Sequence, residues 1–160
     1  MLSVKLICVG KMRERFYIDA FNEYAKRLQA YCRFECVELT EQRLSDSPSE
    51  KEIAAALEKE AAEIMKAIPP DAYLCAMCVE GGQFPSEEMG RLIRQRENSG
   101  KPKLCFVIGG SFGLSDTVKK RAELRLSMSK MTFPHHLARV MLAEQIYRGF
   151  KINEGSRYHK

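Results

Sequence analysis

The sequence predicts an α/β domain, a mainly parallel sheet flanked by helices, and three observations predict it. Short apolar runs alternate with segments whose apolar residues recur at helical spacing. The runs at 2–9 and 104–108 are apolar almost throughout, as strands covered on both faces must be. No repeat, low-complexity tract or linker divides the 160 residues, so residues 1–160 make one domain.

Residues 2–9 end at Gly10 and form the first strand. From 13 to 31, Phe16, Ala20, Tyr24 and Leu28 recur every four residues and define an amphipathic helix. Residues 34–39 alternate apolar and polar as a half-exposed strand does, and the polar stretch 42–49 with Pro48 is a loop. Ser49 caps the next helix, with Glu52 completing a capping box, and Pro69-Pro70 stops that helix after about Ala67. Residues 73–79 form a third strand running into Glu80-Gly81-Gly82, and Pro85-Ser86-Glu87-Glu88 opens a helix that reaches about Glu97. Then come a strand at 103–108, a short helix at 116–121, a strand at 123–129 and a last helix at 136–152.

On a helical wheel that last helix gathers Leu142, Ala143, Ile146, Tyr147 and Phe150 into one apolar arc, with Arg139 in its middle. Glu144, Arg148 and Lys151 lie opposite, where Glu144 and Arg148 have favourable i,i+4 spacing. Leu137 and Met141 extend the apolar surface onto the polar side. A helix apolar on nearly all sides needs two partners, so the sheet is one and a second subunit the other. The expectation is a homodimer, with Arg139 held by an acceptor in its interface.

No apolar run is long enough to span a membrane, and the N-terminus lacks the pattern of a signal peptide, so a cytoplasmic location is expected. Cys8, Cys75, Cys78 and Cys105 sit in strand-like apolar runs, where cysteine behaves as a small hydrophobe. Cys75-Ala-Met-Cys78 has a redox spacing, but a strand points positions three apart to opposite faces. No second paired motif makes a zinc site, and no metal is expected. Charge is uneven. Residues 1–80 carry 11 Lys/Arg against 14 Asp/Glu, a net −3, while residues 81–160 carry 15 against 7, a net +8. The basic surplus is either a solvated face or a docking surface for a polyanion.

Two diglycines follow strands, Gly81-Gly82 and Gly109-Gly110, the second within Gly109-Gly110-Ser111-Phe112-Gly113-Leu114. Neither is a phosphate loop or a dinucleotide fingerprint, but ligands bind open α/β sheets at strand carboxyl ends. His135-His136 suits a capping or surface role, since adjacent histidines at a helix start diverge and no other ligand lies close by. For Tyr158 and His159 a catalytic reading requires the terminal segment to fold back over the strand ends.

Several segments carry a family resemblance together: Ile7-Cys8-Val9-Gly10-Lys11, Phe106-Val107-Ile108-Gly109-Gly110-Ser111, and Leu126-Ser127-Met128-Ser129-Lys130-Met131-Thr132-Phe133-Pro134-His135. Arg139-Val140, Glu144-Gln145-Ile146-Tyr147-Arg148 and Tyr158-His159-Lys160 continue it. Over essentially its whole length the chain resembles the ribosomal large subunit methyltransferase H family, the smallest members of the SPOUT methyltransferase class.

The resemblance implies the SPOUT fold, with a deep trefoil knot near the C-terminus, and a homodimer. It implies S-adenosylmethionine as cofactor, contacted by Met77, Gly109 and the segment Met128, Ser129, Lys130, Met131, Thr132 and Phe133. The implied reaction is methylation at N3 of a pseudouridine, position 1915 of 23S rRNA, with the assembled ribosome as substrate. In that reaction His159 is expected to accept or relay the N3 proton, Arg148 to stabilise the imide anion and Tyr158 to orient the base. Two other readings compete: a non-catalytic RNA-binding module using the basic half alone, and a thiol redox protein using Cys75 and Cys78.

Overall fold

The computed structural model describes residues 1–160. Ten elements follow in order: β1 (Ser3–Val9), α1 (Arg15–Leu28), β2 (Arg33–Leu39), α2 (Glu50–Ala67), β3 (Tyr73–Gly82), α3 (Ser86–Glu97), β4 (Lys103–Ile108), α4 (Asp116–Arg121), β5 (Leu124–Leu126) and α5 (His135–Asn153). All strands are parallel, in the order β2-β1-β4-β3-β5. The predicted α/β class therefore holds. β1 and β4 lie side by side in register, Leu6 opposite Phe106 and Cys8 opposite Ile108.

Period-two alternation divides the interior into two layers. Val4, Leu6 and Cys8 of β1 and Leu104, Phe106 and Ile108 of β4 face α1, α3 and α5, where Leu28, Ile93, Leu142 and Ile146 cover them. Ile7, Val9, Cys105 and Val107 face the other way, onto Ala61 and Ile64 of α2 and Val118 of α4. Each central strand is thus apolar on both sides, which explains why its sequence shows no polar alternation. Cys75 is one of the residues of the first layer and is fully buried.

Ser49 begins α2 as expected: its hydroxyl accepts from the Glu52 amide at 3.1 Å, and the Glu52 carboxylate accepts from the Ser49 amide at 3.2 Å. α3 and α5 cross tightly because Gly90 and Gly149 meet there. A Cβ on Gly149 would come within 2.7 Å of the Ile93 side chain, and Asn153 donates to the Gly90 carbonyl at 2.9 Å.

Three expectations are revised. β5 is only three residues long, since the Ser127 amide turns to the Gly82 carbonyl at 2.8 Å and the Ser127 hydroxyl to the Ser129 carbonyl at 2.9 Å. β3 runs on through Gly81-Gly82, past an irregularity after Met77, to pair again with β5. Gly81 there lies where a Cβ would press within 2.8 Å of the Arg125 backbone, so this diglycine serves strand packing rather than a ligand turn. Arg139 is held inside the protomer. It donates to the Glu38 carboxylate at 2.6 Å and the Gly10 carbonyl at 3.1 Å, only 2% exposed. Its acceptors come from the ends of β1 and β2 of the same protomer, while its Nε is buried without a partner.

Candidate active site

The first part of the site is a cavity of about 110 Å³ outside the carboxyl ends of β3, β4 and β5. Met77, Met128, Ser129, Met131, Thr132 and Phe133 line it, all named from sequence as cofactor contacts. Gly109 and Lys130 do not. Lys130 is exposed, and Gly109 has another duty: a Cβ on it would run into the Gly113 carbonyl, where Gly110 and Gly113 pair across a tight loop. Gly113 itself sits at φ +80°, a conformation natural to glycine. Residues 128–133 make no backbone-to-backbone hydrogen bond, and the Met131 amide instead donates to the Ser129 hydroxyl at 3.0 Å.

The second part is a polar cluster where the terminal segment folds back onto α5. Glu144 is its centre. Its carboxylate accepts from Arg148 Nε at 3.0 Å and Nη2 at 2.8 Å, and from the Tyr158 hydroxyl at 3.0 Å. Gln145 Nε2 adds a fourth donor at 3.0 Å. Arg148 is thereby fixed by a two-point clasp one helical turn from its partner, its guanidinium 4.8 Å from the centre of the Tyr158 ring. Tyr158 also stacks edge-on against Tyr147, centroids 5.0 Å apart.

His159 is held at both ring nitrogens. Nε2 lies 2.7 Å from the Glu87 carboxylate and Nδ1 lies 3.1 Å from Arg148 Nη1. A carboxylate only accepts and a guanidinium only donates. The proton therefore resides on Nε2, and Nδ1 carries the lone pair. Glu87 sits below its ordinary carboxylate value, through its own backbone amide first and His159 second. Burial and then the Glu144 carboxylate push the Tyr158 phenol well up, so it stays protonated and works as a donor. Arg148 is shifted upward by its bond to Glu144.

A groove of about 570 Å³ joins the two parts. It shares Leu126, Ser127 and Met128 with the cavity and has Glu144 and Gln145 on its other wall. The structure thus brings Arg148, Tyr158 and His159 together. Sequence reasoning gave Glu144 only as a helix-face partner of Arg148 and gave Glu87 no part in the site. Glu144 was findable from its spacing to Arg148. Glu87, 72 residues from His159, had no local signal.

The redox reading loses its geometry. Cys75 is buried and its thiol is pushed well up by burial, while Cys78 is half-buried with its thiol 3.7 Å from the Ala76 carbonyl. All six cysteines are free thiols.

This architecture, with its pocket at the strand ends and its folded-back tail, is that of a SPOUT-class methyltransferase. The family model described as predicted SPOUT methyltransferase matches residues 2–159, and the chain belongs to that family. Two solved structures share the fold at low identity. A probable methyltransferase from Bordetella pertussis Tohama I superposes with a TM-score of 0.58 at 14% identity, over 92% of this chain and 94% of its own. A probable methylase family protein from Haemophilus influenzae Rd KW20 gives 0.53 at 12%, over 100% of this chain and 72% of its own. Within the class the chain belongs to the ribosomal RNA large subunit methyltransferase H family. It is 45% identical to the member from Streptococcus pyogenes serotype M5 and 43% identical to that from Bacillus pumilus. Each match spans 159 residues, 99% of this chain and 100% of the relative.

Proposed function

We propose that this chain methylates N3 of a pseudouridine, position 1915 of 23S rRNA in the assembled ribosome, using S-adenosylmethionine. The observation that carries this reading is the groove linking the Met-lined cavity to the Glu144 cluster, in a chain whose full-length relatives are named rRNA methyltransferases. The residues present fit the cofactor. Thioether and aromatic side chains at Met77, Met131 and Phe133 offer apolar packing, and the backbone of residues 128–133, free of backbone partners and with only the Met131 amide and Ser129 carbonyl engaged by side chains, offers donors and acceptors for an adenine edge. The cavity alone holds part of such a molecule, and the adjoining groove supplies room for the remainder.

When bound, the cofactor supplies an electrophilic methyl group on a sulfonium. The chain's task is to place a nucleophilic nitrogen in line with it and to take away that nitrogen's proton. Glu87 fixes the His159 tautomer, so the lone pair is on Nδ1, which accepts from Arg148 Nη1 and takes a proton when that bond gives way. In this proposal His159 accepts the imide proton, Arg148 faces the charge that develops on the base, and Tyr158 orients it. Glu144 aims Arg148 and Tyr158 at once. The homodimer and the trefoil knot belong to the same proposal. Leu137, Val140 and Met141 stay only half-buried on α5, an apolar strip suited to a second copy that would close the groove. No helix is long and apolar enough to cross a membrane.

The test is methyl transfer from labelled S-adenosylmethionine to purified ribosomes, with the modified base located by mass spectrometry. His159→Ala and Arg148→Ala should each lower turnover by about a hundredfold or more, with cofactor affinity retained. Wild-type turnover in both variants sinks the catalytic assignment. RNA binding without heat on cofactor titration, and without transfer, would favour a non-catalytic RNA-binding module.

A further inference from the structure

The opposite end of the strand-end surface holds a second, polar cleft that neither the cofactor cavity nor the Glu144 cluster uses. It measures about 800 Å³ and opens where β1 and β2 end, between Gly10 to Arg13 on one side and Leu39 to Arg43 on the other, with Ser111, His135 and His136 on its wall. Lys11, Arg13 and Arg43 line it, are exposed, and take part in none of the chain's ion pairs. The acidic groups around it are largely spent within the protein. Glu38 is committed to Arg139, Glu14 to His136 Nδ1, and Glu41 accepts the Ser111 amide at 2.9 Å. Three free cations therefore share the cleft with two carboxylates, Glu38 paired to Arg139 and Glu41 held by the Ser111 amide.

An exposed aromatic ring is linked to the cleft wall through His136. Phe16, at the start of α1, is 67% exposed, packs 4.4 Å from Tyr17, and Tyr17 in turn meets the ring of His136 edge-on at 6.4 Å. The solvated-face explanation for a lysine or arginine does not account for a large apolar ring left exposed three residues after Arg13. His136 adds a further sign of unmet polarity: its Nε2 is buried with no partner. Cations that neutralise phosphates, with an aromatic face on which a base can stack, are what single-stranded nucleic acid recognition requires.

We propose that this cleft is a second RNA-docking site, where Lys11, Arg13 and Arg43 hold backbone phosphates and Phe16 stacks on an unpaired base. The cleft and the cofactor cavity lie at the same edge of the sheet, joined by the loop after β4 and by the segment leading into α5. An RNA strand engaged at both sites would be held in register while its target base enters the groove. This inference rests on the rRNA methyltransferase reading and extends it to residues outside the methyl-transfer site.

The test compares the wild-type chain with Lys11→Ala/Arg13→Ala/Arg43→Ala and with Phe16→Ala. Circular dichroism checks folding, and the double variant Arg13→Gln/Arg43→Gln is a milder companion. Binding of a fluorescein-labelled single-stranded RNA 12-mer and of purified ribosomes is measured across a salt series, beside cofactor titration and ribosome methylation kinetics. Losing three phosphate contacts to single-stranded RNA should flatten the log-affinity against log-salt slope by about 2. Phe16→Ala should weaken oligonucleotide binding about tenfold with the slope unchanged. For the triple variant, KM for ribosomes should rise at least tenfold, with kcat and cofactor affinity close to wild type.

An unchanged slope and an unchanged ribosome KM would overturn the docking site while wild-type methylation still stands. Absence of methylation by the wild-type chain would defeat the underlying reading instead. Loss of ribosome binding with undiminished oligonucleotide binding would place a ribosomal protein in the cleft and overturn the RNA assignment.

Discussion

Glu144 shows how one carboxylate orders several side chains of the proposed site. It is 16% exposed on its side chain and satisfies donors from Arg148, Tyr158 and Gln145. Glu144→Gln replaces two-point acceptance by one acceptor and one donor, so Arg148 loses its fixed direction. Methyl transfer to ribosomes should fall by about ten- to a hundredfold while cofactor affinity, measured by calorimetry, holds. Equal activity in the variant would remove Glu144 from the positioning role.

A second carboxylate, Glu38, tests electrostatics at the same scale. Burial alone would raise it, but Arg139 and the Met12 amide outweigh burial and leave it below its ordinary value. A carboxylate depressed in the folded state stabilises the fold fully above its unfolded value and loses that contribution as pH falls through the folded one. Glu38→Gln should therefore cost about 1–2 kcal/mol near neutrality, a figure kept low because the Glu38 side chain is 37% exposed to screening water. Denaturant titrations should show that gap closing in acid. Thiol alkylation completes the residue scale. Cys36 and Cys78, half-buried, should label first in the folded protein, while Cys8, Cys32, Cys75 and Cys105 wait for unfolding.

Among the elements, the α3–α5 crossing is the most exacting contact. Gly149→Ala would set a methyl within 2.7 Å of Ile93, and overpacking of this kind should lower stability by about 1–3 kcal/mol, read as a shifted urea midpoint at constant slope. Ser49→Ala, by contrast, removes only a solvent-exposed cap and should cost about 0.5–2 kcal/mol. The difference between these two sites shows where the sequence was legible. The capping box at Ser49 and Glu52 is a local pattern and could be read directly. β4 and α4 keep the bounds that their apolar and polar runs marked. The short span of β5 depended on Ser127 bonding Gly82, a contact 45 positions away that no window of sequence contains. Gly81 and Gly109 looked alike as diglycines after strands, yet one packs against a neighbouring strand and the other closes a loop.

For the whole molecule, the same rule separates what could be read from what could not. Alternating strands and helices sufficed for an α/β sheet covered on both faces, and the ordered run of motifs led to the right family. The strand order did not follow from periodicity, since pattern alone does not reveal that β4 inserts between β1 and β3. Arg139 was assigned to a subunit interface because its helix arc was apolar. Its true acceptors, Glu38 and Gly10, lie more than a hundred positions earlier. The dimer proposal now depends on the half-buried strip of Leu137, Val140 and Met141. Met141→Glu should give monomers by light scattering, and with them a loss of methyl transfer of at least tenfold if a second copy completes the site.

The position of β4 also constrains how the chain comes off the translating machinery. β1 is made first, yet one of its two neighbours arrives only with residues 103–108, and the helix that covers much of its α1 side only with 135–153. A nascent chain that ends before residue 103 must keep the inner edge of β1 unpaired and one apolar layer only partly covered. Productive folding therefore waits for the last third of synthesis, so translation that stalls before β4 would expose an adhesive strand edge.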